Sequence, residues 1–166
     1  SSCIISRTTA GTSFSNGFLF ELGSGSMLSS MDLNHTGDSY GGGIYLNNSN
    51  NSVIEQVDIT LASTSPPSEY YGIYANSSGS NELPVQIYRT NIKSSLGIHT
   101  NLYGIYNNQS VISLNQDCQI NLQVASEQLY GIFSVSDATN TLKLAEVNFI
   151  QSQMIIKNTS STGTAN

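Results

Sequence analysis

The stretch Tyr71-Gly72-Ile73-Tyr74 decides how this chain is read, because it comes back. It returns as Tyr103-Gly104-Ile105-Tyr106 and Tyr130-Gly131-Ile132-Phe133, and without the leading Tyr as Gly43-Ile44-Tyr45. A degenerate copy, Gly17-Phe18-Leu19-Phe20, precedes them. The glycines stand 26, 29, 32 and 27 residues apart. A self-similar period of this length marks a repeat architecture, in which single units cannot bury a face and stacked neighbours can.

A second column keeps the same period. The segments SMDLNH, QVDITL, RTNIKS, DCQINL and EVNFIQ place Leu33, Ile59, Ile92, Ile120 and Phe149 at their centres. Met31, Val57, Thr90, Cys118 and Val147 stand two residues earlier, which is strand alternation. A third column, five residues before the centre, holds Leu28, Ile54, Ile87 and Leu144, while Leu114 is displaced by one, as a bulge or a shortened turn would displace it. Each unit therefore predicts three short strands: the Gly-Ile-Tyr strand, a second such as Val85-Gln86-Ile87 or Leu142-Lys143-Leu144, and a third at the central column. Asn- and Ser-rich turns follow the first strand, as at Asn47–Ser52 and Asn76–Asn81, where left-handed backbone and side-chain capping are easy. Longer loops such as Ala62–Glu69 follow the third. No capped 3.6-residue period calls for a helix.

The expected fold is all-β: a parallel β-helix of about five coils, each of three short strands and 26–32 residues, over residues 1–157. A polar tail, 158–166, follows. Rungs about 4.8 Å apart would stack like residues on like. Cys118 falls in an inner column beside Val57 and Val147, and Cys3 lies three or four coils away, so both are expected as unpaired thiols.

Composition fits this reading. Only 10% of the 166 residues are charged, and Ser, Thr and Asn supply about a third of the chain. Along a stacked column a repeated charge repels its own copies, whereas amides and hydroxyls can bond to theirs. Five Lys+Arg against eleven Asp+Glu give a net charge of −6, which argues against nucleic acid as a partner. No apolar run reaches the ~20 residues of a membrane-spanning helix. Ser1–Phe20 lacks the basic start and apolar stretch of a secretory signal, so the chain is expected to start within a longer protein or after a cleavage.

Gly41-Gly42-Gly43-Ile44-Tyr45 and the Ser/Asn-rich turns resemble passenger repeats of bacterial autotransporter and polymorphic outer-membrane proteins. These sit within the pectate-lyase-like superfamily of right-handed parallel β-helices. The resemblance spans roughly residues 3–157. It implies a right-handed solenoid, an extracellular or cell-surface location, and a structural or adhesive role without catalysis, cofactor or metal. The same superfamily contains polysaccharide lyases and hydrolases, which keeps a carbohydrate-active enzyme or a glycan-binding module as the alternative.

Two sets of residues are candidates for function. Asp32 and Asp58 share the slot before the central apolar residue on adjacent coils, followed by Asn91, Gln119 and Asn148; Arg89 and Lys93 are a coil away. Two carboxylates about 5 Å apart are the spacing of a retaining glycosidase pair, although two solvated surface acids are the plainer reading. Tyr45, Tyr74, Tyr106 and Phe133 follow an inward Ile by one and are expected outside, able to stack on sugar rings or pack against one another. With inverted parity, Tyr71, Tyr103 and Tyr130 would be the exposed row. His35 and His99 lack metal-ligand spacing and are expected on the surface. Open solenoid ends, such as Cys3-Ile4-Ile5 and Met154-Ile155-Ile156, are pairing templates for end-to-end self-association, and a glycan or host-surface ligand is the other expected partner.

Overall fold

A computed structural model of the chain describes residues 3–9, 18–37, 40–63, 69–80, 82–94, 98–136, 146–158 and 164–165. Among these there is no helix; all regular structure is strand. In chain order the strands are β1 (Cys3–Thr9), β2 (Phe18–Leu22), β3 (Met27–Gly37), β4 (Tyr40–Asn47), β5 (Val53–Ser63), β6 (Glu69–Asn76) and β7 (Val85–Tyr88). There follow β8 (Asn91–Ser94), β9 (Ile98–Asn108), β10 (Val111–Asn115), β11 (Gln119–Val135), β12 (Glu146–Ile150), β13 (Gln153–Asn158) and β14 (Thr164–Ala165). Every described pairing is parallel, and the chain winds into a parallel β-solenoid.

Three faces result. The first stacks β2, β4, β6, β9, the second half of β11, and β14. The second stacks the starts of β3 and β5 with β7, β10 and β12. The third stacks β1, the ends of β3 and β5, β8, the first half of β11, and β13. About three turns run without a break through the described residues, 18–37, 40–63 and 98–124, fewer than the five coils counted from the repeat.

The inner columns explain the cohesion. Ile44, Ile73 and Ile105 stack in register with no exposed surface, and Leu33, Ile59, Ile92 and Ile120 form a second column. Burying one such side chain is worth about 1.5–3 kcal/mol, and here every rung repeats it. The corners between the second and third faces need a single residue in left-handed backbone: Ser30 (φ 56°), Gln56 (φ 54°), Arg89 (φ 45°) and Gln151 (φ 50°). β3 and β5 continue as one strand through this bend, whereas β7/β8 and β12/β13 are divided at it. At the first corner, buried serines link the rungs. The Ser49 amide donates to Ser78 Oγ (3.0 Å), and the Ser78 amide donates to Ser110 Oγ (2.9 Å).

Several expectations change. Leu114 stays in its column, paired with Ile87, and the extra residue lies in the corner behind it, where Gln116 (φ 44°) and Asp117 (φ 57°) both turn left-handed. EVNFIQ belongs to the second face, not the third. Phe149 pairs with Leu114 and Val147 with Ile112, while Met154 takes the position over Ile120. Asn148 accordingly pairs with Ser113, and Gln153 completes the column of Asp32, Asp58, Asn91 and Gln119. The degenerate Gly17 copy is out of phase as well: Phe18 pairs with Gly42 and Phe20 with Ile44.

Cys118 is buried and free, in the column of Val57 and Thr90 as expected, with Ser152 rather than Val147 on its other side. Cys3 pairs with Met31 at the far end of that same column. His35 is not on the surface; it lies in the inward column of Leu61, fully buried, with its ring 5.0 Å from that of Tyr70. The second strand expected at Leu142–Leu144 and residues 64–68 of the Ala62–Glu69 loop lie outside the described residues, as does the side chain of His99. Within the polar tail, Thr164–Ala165 pairs with β11.

The repeated glycines are a steric requirement. A Cβ on Gly72 would sit 2.4 Å from Ile92 Cγ2 and 2.5 Å from the Gly104 carbonyl oxygen. A Cβ on Gly23 would meet nothing within 4 Å. Gly72→Ala should therefore lower the unfolding free energy by about 1–3 kcal/mol through overpacking, whereas Gly23→Ala should leave it nearly unchanged. Urea unfolding of the two variants checks the contrast.

Candidate functional site

Each Tyr-Gly-Ile-Tyr unit puts both aromatics on the same side of the sheet. Strict alternation would separate residues three apart. Here Tyr70 and Ile73 belong to the inner core, while Tyr71 and Tyr74 belong to a separate aromatic cluster. The Cβ that Gly72 lacks would point at Ile92, so two successive positions, Gly72 and Ile73, face inward. The glycine thus breaks the pleat and brings the flanking tyrosines out together. The choice between two exposed rows has the answer that both rows lie outside.

The rows run side by side. One holds Phe18, Tyr71, Tyr103 and Tyr130; the other holds Tyr45, Tyr74, Tyr106 and Phe133. Gly42 leaves a gap in the first row, and the Phe18 ring fills it, 5.4 Å from Tyr45 and 6.1 Å from Tyr71. Between the central tyrosines of a row the rings are nearly parallel: Tyr71–Tyr103 at 5.0 Å and 6°, Tyr103–Tyr130 at 5.1 Å and 4°, Tyr74–Tyr106 at 4.8 Å and 4°; toward the row ends they tilt, Tyr45–Tyr74 by 57°, Tyr106–Phe133 by 32° and Phe18–Tyr71 by 31°. Across rows the central pairs are nearly perpendicular, Tyr71–Tyr74 at 84° and Tyr103–Tyr106 at 85°, while Tyr130–Phe133 lie at 64° and Phe18–Tyr45 at 30°.

Both angles follow from one mismatch. Rungs stand about 4.8 Å apart, but stacked carbons want about 3.5 Å, so rings close the gap by leaning about 45° from the rod axis. Opposite leans in the two rows make a herringbone and give the near-right angle between them. Ring faces are thereby occupied by ring faces. Tyr71 and Tyr103 are buried, and Tyr45, Tyr74, Tyr106, Tyr130 and Phe133 are half-buried. What the surface offers is ring edges and hydroxyls, not the flat faces on which a sugar stacks. Each such aromatic pair adds about 0.5–1.5 kcal/mol beyond its buried area, so the double row is a substantial brace between coils.

Its electrostatics follow from burial. Desolvation pushes the Tyr74 and Tyr103 phenols up to about 12, with the neighbouring rings and Glu69 adding to it. Tyr71 is raised further, by burial first and then by Glu69, which accepts its hydroxyl hydrogen bond. Tyr106 is raised by burial and, less, by Glu69.

The acidic candidates lie on the third face. Asp32 pairs with Asp58 and Asp58 with Asn91; in the next outward column Asn34 pairs with Thr60 and Thr60 with Lys93. Asp32, Asn34, Asp58, Thr60 and Lys93 line an open groove of about 320 Å³. The Asn91 amide donates to Asp58 Oδ1 at 2.5 Å, and Arg89 is taken up in an ion pair with Glu55 at the corner. The structure thus brings Asp32, Asp58 and Lys93 together and holds Arg89 apart. Among the described residues no three His, Cys, Asp or Glu side chains converge as a metal site would require.

Buried phenols give a sign for the pH dependence. The folded state holds Tyr71, Tyr74, Tyr103 and Tyr106 protonated above the unfolded value near 10, so their contribution to stability is complete below pH 10 and is lost as pH rises toward 12 and beyond. Tyrosinate absorbance should appear in two phases, the later one coinciding with loss of β-structure by circular dichroism. A single phase near pH 10 with the fold intact would contradict the buried rows.

No protein-family model matches the chain, and neither does any curated protein or any solved structure.

Proposed function

We propose that the chain is a structural and adhesive β-solenoid, displayed outside the cell or on its surface, that holds partners by many weak contacts rather than by chemistry. The observation that carries this is the hydrogen bonding of neutral side chains from rung to rung on the outside of the rod. Asn108 Nδ2 donates to Asn76 Oδ1 (2.9 Å), and Asn115 Nδ2 donates to Gln86 Oε1 (2.7 Å). Ser30 Oγ donates to Gln56 Oε1 (3.2 Å). Such columns give a surface that stays ordered without charge and repeats one pattern of donors and acceptors every rung. Multiple copies of a weak contact at fixed spacing add up to avidity.

The aromatic strip takes part through its hydroxyl edges, Tyr45, Tyr74 and Tyr106 being half exposed. Arrays of immobilised glycans and layers of cultured cells test the reading. Binding should survive moderate salt, since few charges are involved, and should fall when Tyr74 and Tyr106 are both changed to Phe, which removes the hydroxyls and keeps the rings. Absence of binding to any such surface would count against the role.

The groove at Asp32, Asp58 and Lys93 supports a second reading, a carbohydrate-active site in which two carboxylates on adjacent rungs flank a glycosidic bond. That reading requires turnover of a polysaccharide by the native chain and its loss in Asp58→Asn. Because Asp58 is part-exposed, the substitution should shift stability by no more than about 1 kcal/mol.

A further inference from the structure

We infer that Tyr71 and Glu69 form a redox-active tyrosine site fed by the aromatic rows. A one-electron oxidant at the surface, of the ferryl-haem or metal-polypyridyl class, draws an electron through the stacked rings. The Tyr71 phenol then gives its proton to the Glu69 carboxylate. This chemistry is separate from display and asks nothing of a surface ligand.

The rows supply the path. Six tyrosines share one cluster. Ring centroids stand 5.0 Å apart at Tyr71–Tyr103, 5.1 Å at Tyr103–Tyr130, 4.8 Å at Tyr74–Tyr106 and 5.4 Å at Tyr45–Tyr74. Contacts of 5.2 Å join the rows at Tyr71–Tyr74 and at Tyr103–Tyr106. Electrons pass readily between rings in contact, so oxidation of one tyrosine is shared with the others. Phe18 ends one row and Phe133 ends the other, on opposite sides of the cluster. A phenyl ring has no O–H to give up and resists oxidation, which confines the missing electron to the tyrosines between.

Burial divides the roles. Tyr45, Tyr74, Tyr106 and Tyr130 are half-buried and meet solutes at their edges. Tyr71 is 1% exposed and Tyr103 7%. A phenol radical cation there would be a buried, uncompensated charge, which is costly. The proton must therefore leave as the electron does, and a base must be in reach.

Tyr71 has that base. Its hydroxyl donates to Glu69, two residues back on β6 and half-buried. Oxidation breaks the Tyr71 O–H bond and forms an O–H bond on the carboxylate, while the electron goes to the oxidant. A neutral tyrosyl and a neutral acid remain. Tyr130 shows the contrast: its hydroxyl donates to Gln128 Oε1 (2.6 Å), and an amide accepts the hydrogen bond without keeping the proton. Among the described residues the column Tyr40, Glu69, Asn101, Gln128 and Thr164 holds one carboxylate, and it lies beside the most buried tyrosine of the row. Burial first and Glu69 second keep the Tyr71 and Tyr103 phenols protonated. The negative field that opposes a phenolate favours the loss of an electron.

Flash photolysis with ruthenium tris-bipyridine and persulfate, which generate a one-electron oxidant in solution, tests the site. Absorbance and electron paramagnetic resonance follow the tyrosyl radical. The native chain should give a radical that outlives that of N-acetyltyrosinamide, formed at a rate independent of buffer concentration, as an internal base requires. Tyr71→Phe keeps every ring and should leave only short-lived radicals. Glu69→Gln keeps a hydrogen-bond acceptor and removes the base, so the long-lived radical should form about a hundredfold more slowly. Changing Tyr74, Tyr106 and Tyr130 together to Phe interrupts the path and should also slow it. Circular dichroism establishes that each variant keeps its β-structure. A native radical no longer-lived than that of Tyr71→Phe overturns the inference. So does a native rate that rises with buffer base, or a folded Glu69→Gln or triple variant that forms the radical at the native rate.

Discussion

The rung spacing of about 4.8 Å, imposed by main-chain hydrogen bonds between parallel strands, is the constraint on which the rest of the molecule depends. It makes each side chain the close neighbour of its own counterpart one coil away. Inward, that favours branched aliphatics in register, as in Ile44, Ile73 and Ile105. Outward, it disfavours repeated charge and rewards groups that both donate and accept, which is why Asn76 bonds Asn108 and Gln86 bonds Asn115. In the aromatic rows it is too long for flat stacking, and the rings lean until they touch.

Much of this was legible in the residues. The Gly-Ile-Tyr column, the third-face column through Ile59, Ile92 and Ile120, and the Asp32/Asp58 adjacency all come from counting positions, and the structure pairs them so. The last coil was not legible. Val147 and Phe149 alternate as well on the second face as on the third, and no Asn-Gly or Pro marks a corner that consists of one left-handed residue such as Gln151. Without that mark the phase of the coil rests on its loop lengths, which vary. The position of His35 follows from parity: it stands two residues after inward Leu33, and the alternation that buries Leu33 buries it too.

The candidate site was half legible, for a related reason. Parity placed Tyr74 and Tyr106 outside but said that Tyr71 and Tyr103 should point the other way. It failed because a glycine with no room for a Cβ lets two consecutive positions face inward. The identity of the Gly was visible; its consequence for the pleat required the contact with Ile92. The result alters the functional reading too, since rings that stack on one another do not present their faces to a ligand.

Every main-chain hydrogen bond between coils lies along the rod, so a pull on its two ends loads the rungs in series. Tensile strength is then a property of the weakest junction, not of the sum. The corner with two successive left-handed residues, Gln116 and Asp117, carries its share of that load, their amides donating to the Ile150 and Gln151 carbonyls of the next coil. The aromatic rows bridge that same coil on the opposite side through Tyr103 and Tyr130.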